Sequence, residues 1–167
     1  MTRLYLLRHA KSSWDEPGLT DRDRPLAPRG RRAAERVAEH LRDEGVRPDL
    51  VLCSPAARAL QTLELVRPAL GQAEVLVEDA LYGIDADGLL ERLRSLPAST
   101  AGAMVVGHNP TIQDLALDLA GQGDAVPRLR EKLPTGALLT LSFDGAWRDL
   151  GPLRARLESF VSPRELR

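Results

Sequence analysis

Arg8 and His9 stand at the end of one short apolar run, and Gly107-His108 stands in the same relation to another. Imidazole is a nucleophile and proton carrier near neutral pH, while guanidinium is a permanently charged fork that matches phosphate oxygens. Arg58 follows a third apolar run, Leu50 to Cys53. Two histidines and two arginines delivered this way suggest phosphoryl transfer through histidine. A phosphoryl group in flight needs its equatorial oxygens neutralised and its entering and leaving atoms held in line. Arg8 and Arg58 suit the oxygens, and His108 can add a third donor. His9 can then attack phosphorus as a neutral imidazole, giving a phosphohistidine that water hydrolyses. Nearby cations favour that neutral form, because like charge lowers a histidine pKa from its ordinary value of about 6.5.

Such residues need elements that bring them together. Arg3 to Leu7 reads as a buried strand, followed by a polar loop from Lys11 to Ala27 that contains Pro17, Gly18 and Pro25. A helix from about Pro28 to Glu44 carries Ala33, Val37, Ala38 and Leu41 on one face and stops at Gly45. Leu50 to Cys53 is a second strand. Ser54-Pro55 has the form of an N-cap and first turn, so a helix is expected from there to Val66, ahead of Pro68. Strands over Glu74–Val77 and Ala103–Val106 alternate with helices over about Asp87–Leu96 and Pro110–Ala120. Ala137 to Phe143 and Ala155 to Val161 complete the pattern as strands, with Asp144-Gly145 between them. Regular alternation of this kind predicts an α/β domain with a mainly parallel sheet and helices on both faces. Ligands of such sheets bind beyond the carboxyl ends of the strands, where His9 and His108 fall.

Composition narrows the classes. The 167 residues fit a single domain spanning 1–167, with a formal net charge of -1. That balance argues against nucleic-acid or anionic-membrane partners, which need concentrated positive charge. No apolar stretch approaches the roughly 20 residues of a membrane span, and no signal peptide opens the chain, so a cytoplasmic protein is expected. The single Cys53 excludes internal disulfides. Cys53 and Arg58 are separated by four residues rather than the five of a cysteine-phosphatase loop, and no glycine opens a phosphate cradle between them. No P-loop motif is present. With three histidines in all, and His40 on a charged helix, neither a metal site nor a cofactor is expected.

Four spaced motifs carry a family resemblance: Arg8-His9, the stretch from Asp21 to Gly30, the stretch from Ser54 to Thr62, and Gly107-His108-Asn109-Pro110. In this order they resemble the histidine phosphatase superfamily, whose fold is phosphoglycerate mutase-like. Within it they are most similar to the compact SixA-type phosphohistidine phosphatases. The resemblance spans residue 3 to about 120, with the last two strands compatible. Ala10 replaces the glycine common in the wider superfamily, as in the SixA-type branch. The resemblance implies a three-layer α/β/α sandwich, catalytic roles for Arg8, His9, Arg58 and His108, and a phosphate or substrate contact from Arg24. Asn109 either fixes His108 or caps the helix that starts at Pro110.

Many members of the superfamily place a general acid after the third strand. Here Glu78 and Asp79 both occupy that region, and counting back from Tyr82-Gly83 favours Asp79. Phosphohistidine has less need of such help, because its P–N bond is labile and a protonated imidazole leaves readily. The stretches from Lys11 to Ala27 and from Glu78 to Asp87 are too short for a large cap. A shallow pocket suits a phosphorylated side chain on a protein, such as a phosphorelay domain. A small phosphomonoester is the alternative substrate, and a non-catalytic phosphate-binding module is the alternative class.

Overall fold

The protein is described by a computed structural model over residues 1–166. Its strands are β1 (Thr2–Arg8), β2 (Leu50–Cys53), β3 (Glu74–Val77), β4 (Gly102–Gly107), β5 (Ala120–Gln122), β6 (Leu138–Phe143) and β7 (Ala155–Val161). Its helices are α1 (Pro28–Asp43), α2 (Ala57–Val66), α3 (Ala86–Arg94), α4 (Thr111–Leu119) and α5 (Val126–Glu131). One seven-stranded sheet has the order β3-β2-β4-β1-β6-β7-β5. The first four of these strands run parallel, β6 is antiparallel to both β1 and β7, and the short β5 pairs parallel with β7.

The apolar runs are continuous because both faces of the sheet are covered. In β1, Leu4 and Leu6 face a core shared with α3, α4 and α5, whereas Tyr5 and Leu7 face the core under α1 and α2. Each fully buried leucine contributes roughly 2 kcal/mol of apolar transfer, so the strands are anchored from two sides. α1 presents Ala33, Val37, Ala38 and Leu41 inward, as its spacing requires.

Two glycines tie the loops around β1. A Cβ on Gly30 would lie 2.1 Å from the Lys11 carbonyl, so α1 can pack against the segment after β1 only with glycine there. Gly136 has φ +75° and donates its N–H to the Arg8 and His9 carbonyls.

The structure departs from the sequence reading at two places. Helix α2 starts at Ala57, and Ser54 does not cap it; Ser54 Oγ accepts from the Ala56 N–H and turns to His108. Between α4 and β6 the chain forms β5 and α5, which Gly121, Gly123 and a six-residue helix signal too weakly in sequence. Among the described residues no helix is long and apolar enough to cross a membrane.

Candidate active site

Sheet register alone assembles the centre of the site. Arg8 pairs with Gly107 across β1 and β4, which sets His9 beside His108 just past the strand ends. Cys53 pairs with Val106, which sets Ser54 beside the same turn. The His9 and Ser54 amides extend these ladders to the Gly107 and Val106 carbonyls. The imidazole rings of His9 and His108 lie 5.2 Å apart between centroids.

Each histidine is oriented by a different partner. His9 Nδ1 is 2.7 Å from the Ala10 carbonyl, which can only accept. Nδ1 therefore holds the proton and Nε2 the lone pair. The Ala10 amide donates to Thr62 Oγ1, whose hydroxyl donates to the Arg58 carbonyl, so α2 is stapled to the turn that carries His9. His108 Nε2 lies 2.7 Å from Ser54 Oγ. Tyr82 meets the His108 ring edge-on at 5.7 Å.

Arg8 and Arg58 are held by their tips. Arg8 Nη1 donates to the Leu133 carbonyl at 2.7 Å. Arg58 Nη1 donates to the Asp21 carbonyl at 2.6 Å and Nη2 to the Asp21 carboxylate at 2.9 Å. The Nε–H of each is buried and donates to no atom of the protein. Buried donors are nearly always satisfied, so two such groups beside one histidine mark a place for an oxyanion.

Asp21 is the hub of the mouth. It accepts from Arg58, from Arg24 at 3.0 Å and from the Tyr82 hydroxyl at 2.6 Å. The Tyr82 hydrogen bond, ahead of those from Arg58 and Arg24, holds its carboxyl far below the usual carboxylate range. Arg24 is itself buried, donates to Ser12 Oγ, and stacks under the Trp14 ring at 3.5 Å. It reaches the site through Asp21.

Burial lowers the His9 pKa to about 3, opposed by the Ala10 hydrogen bond and helped by His108, Arg58 and Arg8. Burial, then Arg58, lowers that of His108 to about 4. A lowered imidazole pKa means a neutral ring down to that pH. Both rings of the free protein should therefore stay neutral as pH falls from 8 to 5, and nitrogen chemical shifts read by NMR check this directly. Titration of either ring near its ordinary value would contradict the environment described here.

The remaining candidates are placed less centrally. Glu78 receives both Nε and Nη2 of Arg92 at 2.8 Å, and that pairing lowers its pKa. The Asp79 side chain is 88% exposed and paired with Arg22. Asn109 Oδ1 accepts from the Gln113 amide in the first turn of α4, and its Nδ2 donates to Gln113 Oε1. Cys53 is buried at the end of β2, which pushes its thiol up to about 12. Among the described residues no group of three or more His, Cys, Asp or Glu could hold a metal ion.

Ser54, Thr62, Asp21 and Tyr82 escaped the sequence reading as working residues. Thr62 carried a usable signal, since it lies one helical turn from Arg58 on the same face. Asp21 opens one of the four motifs, but nothing in its local spacing assigns it a role.

Two histidines and two arginines thus gather at the carboxyl ends of the parallel strands of an α/β fold, an arrangement suited to holding a phosphoryl group. The chain belongs to the histidine phosphatase superfamily: residues 4–94 match the model for its branch 1. It is 39% identical over 162 residues to an uncharacterised protein of Mycobacterium tuberculosis, covering 95% of this chain and all of that one. A protein from Nakamurella multipartitia assigned as phosphohistidine phosphatase SixA is similar in structure, with TM-score 0.86 and 35% identity over 97% of this chain and 96% of the other. A second SixA assignment, from Agrobacterium tumefaciens, has TM-score 0.82 and 33% identity, covering 97% of this chain and 98% of that one.

Proposed function

We propose that this protein is a cytoplasmic phosphatase that removes phosphate from phosphohistidine on a protein, through a phosphohistidine intermediate on His9. The reading is carried by the two buried arginine Nε–H donors beside a histidine whose Nε2 lone pair is free. In the first step that lone pair attacks phosphorus, and the bond from phosphorus to the substrate nitrogen breaks with its electrons leaving on that nitrogen. The substrate imidazole, protonated on its other nitrogen, departs neutral. In the second step water attacks phosphorus, the bond to His9 Nε2 breaks, and inorganic phosphate leaves. Arg8 and Arg58 neutralise the equatorial oxygens throughout, with His108 beside them.

The placement of the carboxylates favours an N-linked substrate. Expulsion of an alkoxide calls for a proton donor, and Glu78 is engaged by Arg92 while Asp79 is turned to solvent on Arg22. The test is hydrolysis of a histidine-phosphorylated protein beside a panel of sugar phosphates. The protein substrate should be preferred, and Asp79→Asn and Glu78→Gln should each change its kcat by no more than about twofold. If an alkyl phosphate is the true substrate, one of these changes should instead cost about 10²–10⁴-fold. Failure to release phosphate from the phosphohistidine protein would overturn the substrate assignment.

A further inference from the structure

The structure assigns Asp21 a role in choosing substrates by charge: its carboxylate at the mouth favours a cationic group next to the phosphoryl and disfavours an anionic one. This assignment rests on the phosphatase reading above, and it deepens that reading.

In and directly behind the site stand three guanidinium groups, Arg8, Arg58 and, behind Asp21, Arg24, with one carboxylate, Asp21. With both histidines neutral, the net is two positive charges, which matches a phosphoryl dianion and leaves little for a second anionic group. Rim arginines do not add to it, since Arg22 is already paired with Asp79. Asp21 is also accessible: its side chain is 49% exposed, whereas His9 and Arg58 are each 7% exposed at the floor. A group bonded to the phosphoryl and leaving on the Arg58 side of the site passes this exposed carboxylate.

Geometry makes that carboxylate a fixed feature. One oxygen is held by Arg58 and the Tyr82 hydroxyl, the other by Arg24. Its negative charge is therefore preorganised and does not need to be recruited by substrate. A phosphorylated imidazole with a proton on its free nitrogen is a cation at this position, and that protonated form is the one whose P–N bond breaks easily. Asp21 would raise the bound fraction of that form. The same charge repels a substrate whose remaining part is a carboxylate or a second phosphate.

The experiment separates charge selection from mere support of Arg58. Binding of phosphoethanolamine, whose ammonium is cationic, and of 3-phosphoglycerate, whose carboxylate is anionic, is measured by calorimetry. The protein carries His9→Ala so that neither ligand is consumed, and Asp21→Asn is then added. The Kd ratio should shift by about tenfold towards the anionic ligand, with 3-phosphoglycerate itself binding more tightly. Asp21→Glu, which keeps the charge, should preserve the original preference. Parallel weakening of both ligands would reduce Asp21 to a brace for Arg58 and overturn the assignment. Parallel tightening would make it only a competitor for Arg58, and overturns the assignment equally, as does an unchanged ratio or failure of both ligands to bind at millimolar concentration. Turnover of a histidine-phosphorylated protein by the unmodified enzyme is scored separately. Its absence alongside a shifted ratio would remove the proposed substrate and leave the charge selection standing.

Discussion

His9→Ala should lower turnover by at least about 10⁴-fold, while the protein stays folded. The His9 imidazole carries a lone pair on Nε2 that its Nδ1 bond to the Ala10 carbonyl orients. Ser54 is committed to His108, and the Cys53 thiol stays protonated because burial pushes it up to about 12. The fold should survive because the contacts that position residue 9 are made by its backbone and by Ala10. The His9 amide bonds to Gly107, its carbonyl accepts from Gly136, and the Ala10 amide bonds to Thr62. A circular dichroism melt close to that of the unmodified protein checks the second half of the expectation. Brief mixing of the unmodified protein with substrate should also leave acid-labile phosphate on the peptide containing His9. Near-normal turnover by the alanine variant would rule out the covalent route.

The central residues were legible because they depend on sheet logic that sequence displays directly. Apolar runs ending in Arg8-His9 and in Gly107-His108 imply strands, and alternation with helices implies that they run parallel. Once β1 and β4 are neighbours, the meeting of the two histidines follows from register. Arg58 was legible from its motif and from the helix it opens. What the sequence concealed is the set of groups defined by long-range geometry. Ser54 followed by Pro55 has the composition of a helix cap, and only the proximity of β2 to β4 reveals that its hydroxyl serves His108 instead. Asp21, Arg24 and Tyr82 converge from a loop, a neighbouring turn and the segment after β3, and nothing in local spacing announces that meeting. The same limit applied to the acid candidates. Glu78 and Asp79 are adjacent in sequence, yet the structure sends one to Arg92 on α3 and the other to Arg22.

Arg8→Ala and Arg58→Ala should each slow the chemical step by about 10³-fold, through kcat more than through KM. Each removes a charge-assisted donor whose value is greatest when charge spreads over the equatorial oxygens. The fork matters as well as the charge. Arg58 spends both terminal nitrogens on Asp21 and Arg8 spends Nη1 on Leu133, while the buried Nε–H of each has no protein acceptor and is the donor expected to meet the phosphoryl. Lysine cannot reproduce this division of labour, so Arg8→Lys and Arg58→Lys should recover only a small part of the loss. Arg58→Ala should also lower stability, since it removes a buried side chain and its two hydrogen bonds to Asp21. The two variants should also bind vanadate more weakly, and vanadate bound to the unmodified protein should contact Arg8 Nε, Arg58 Nε and His9 Nε2. An anion seated elsewhere, with the affinity of both variants unchanged, would show that these arginines serve the fold rather than the phosphoryl.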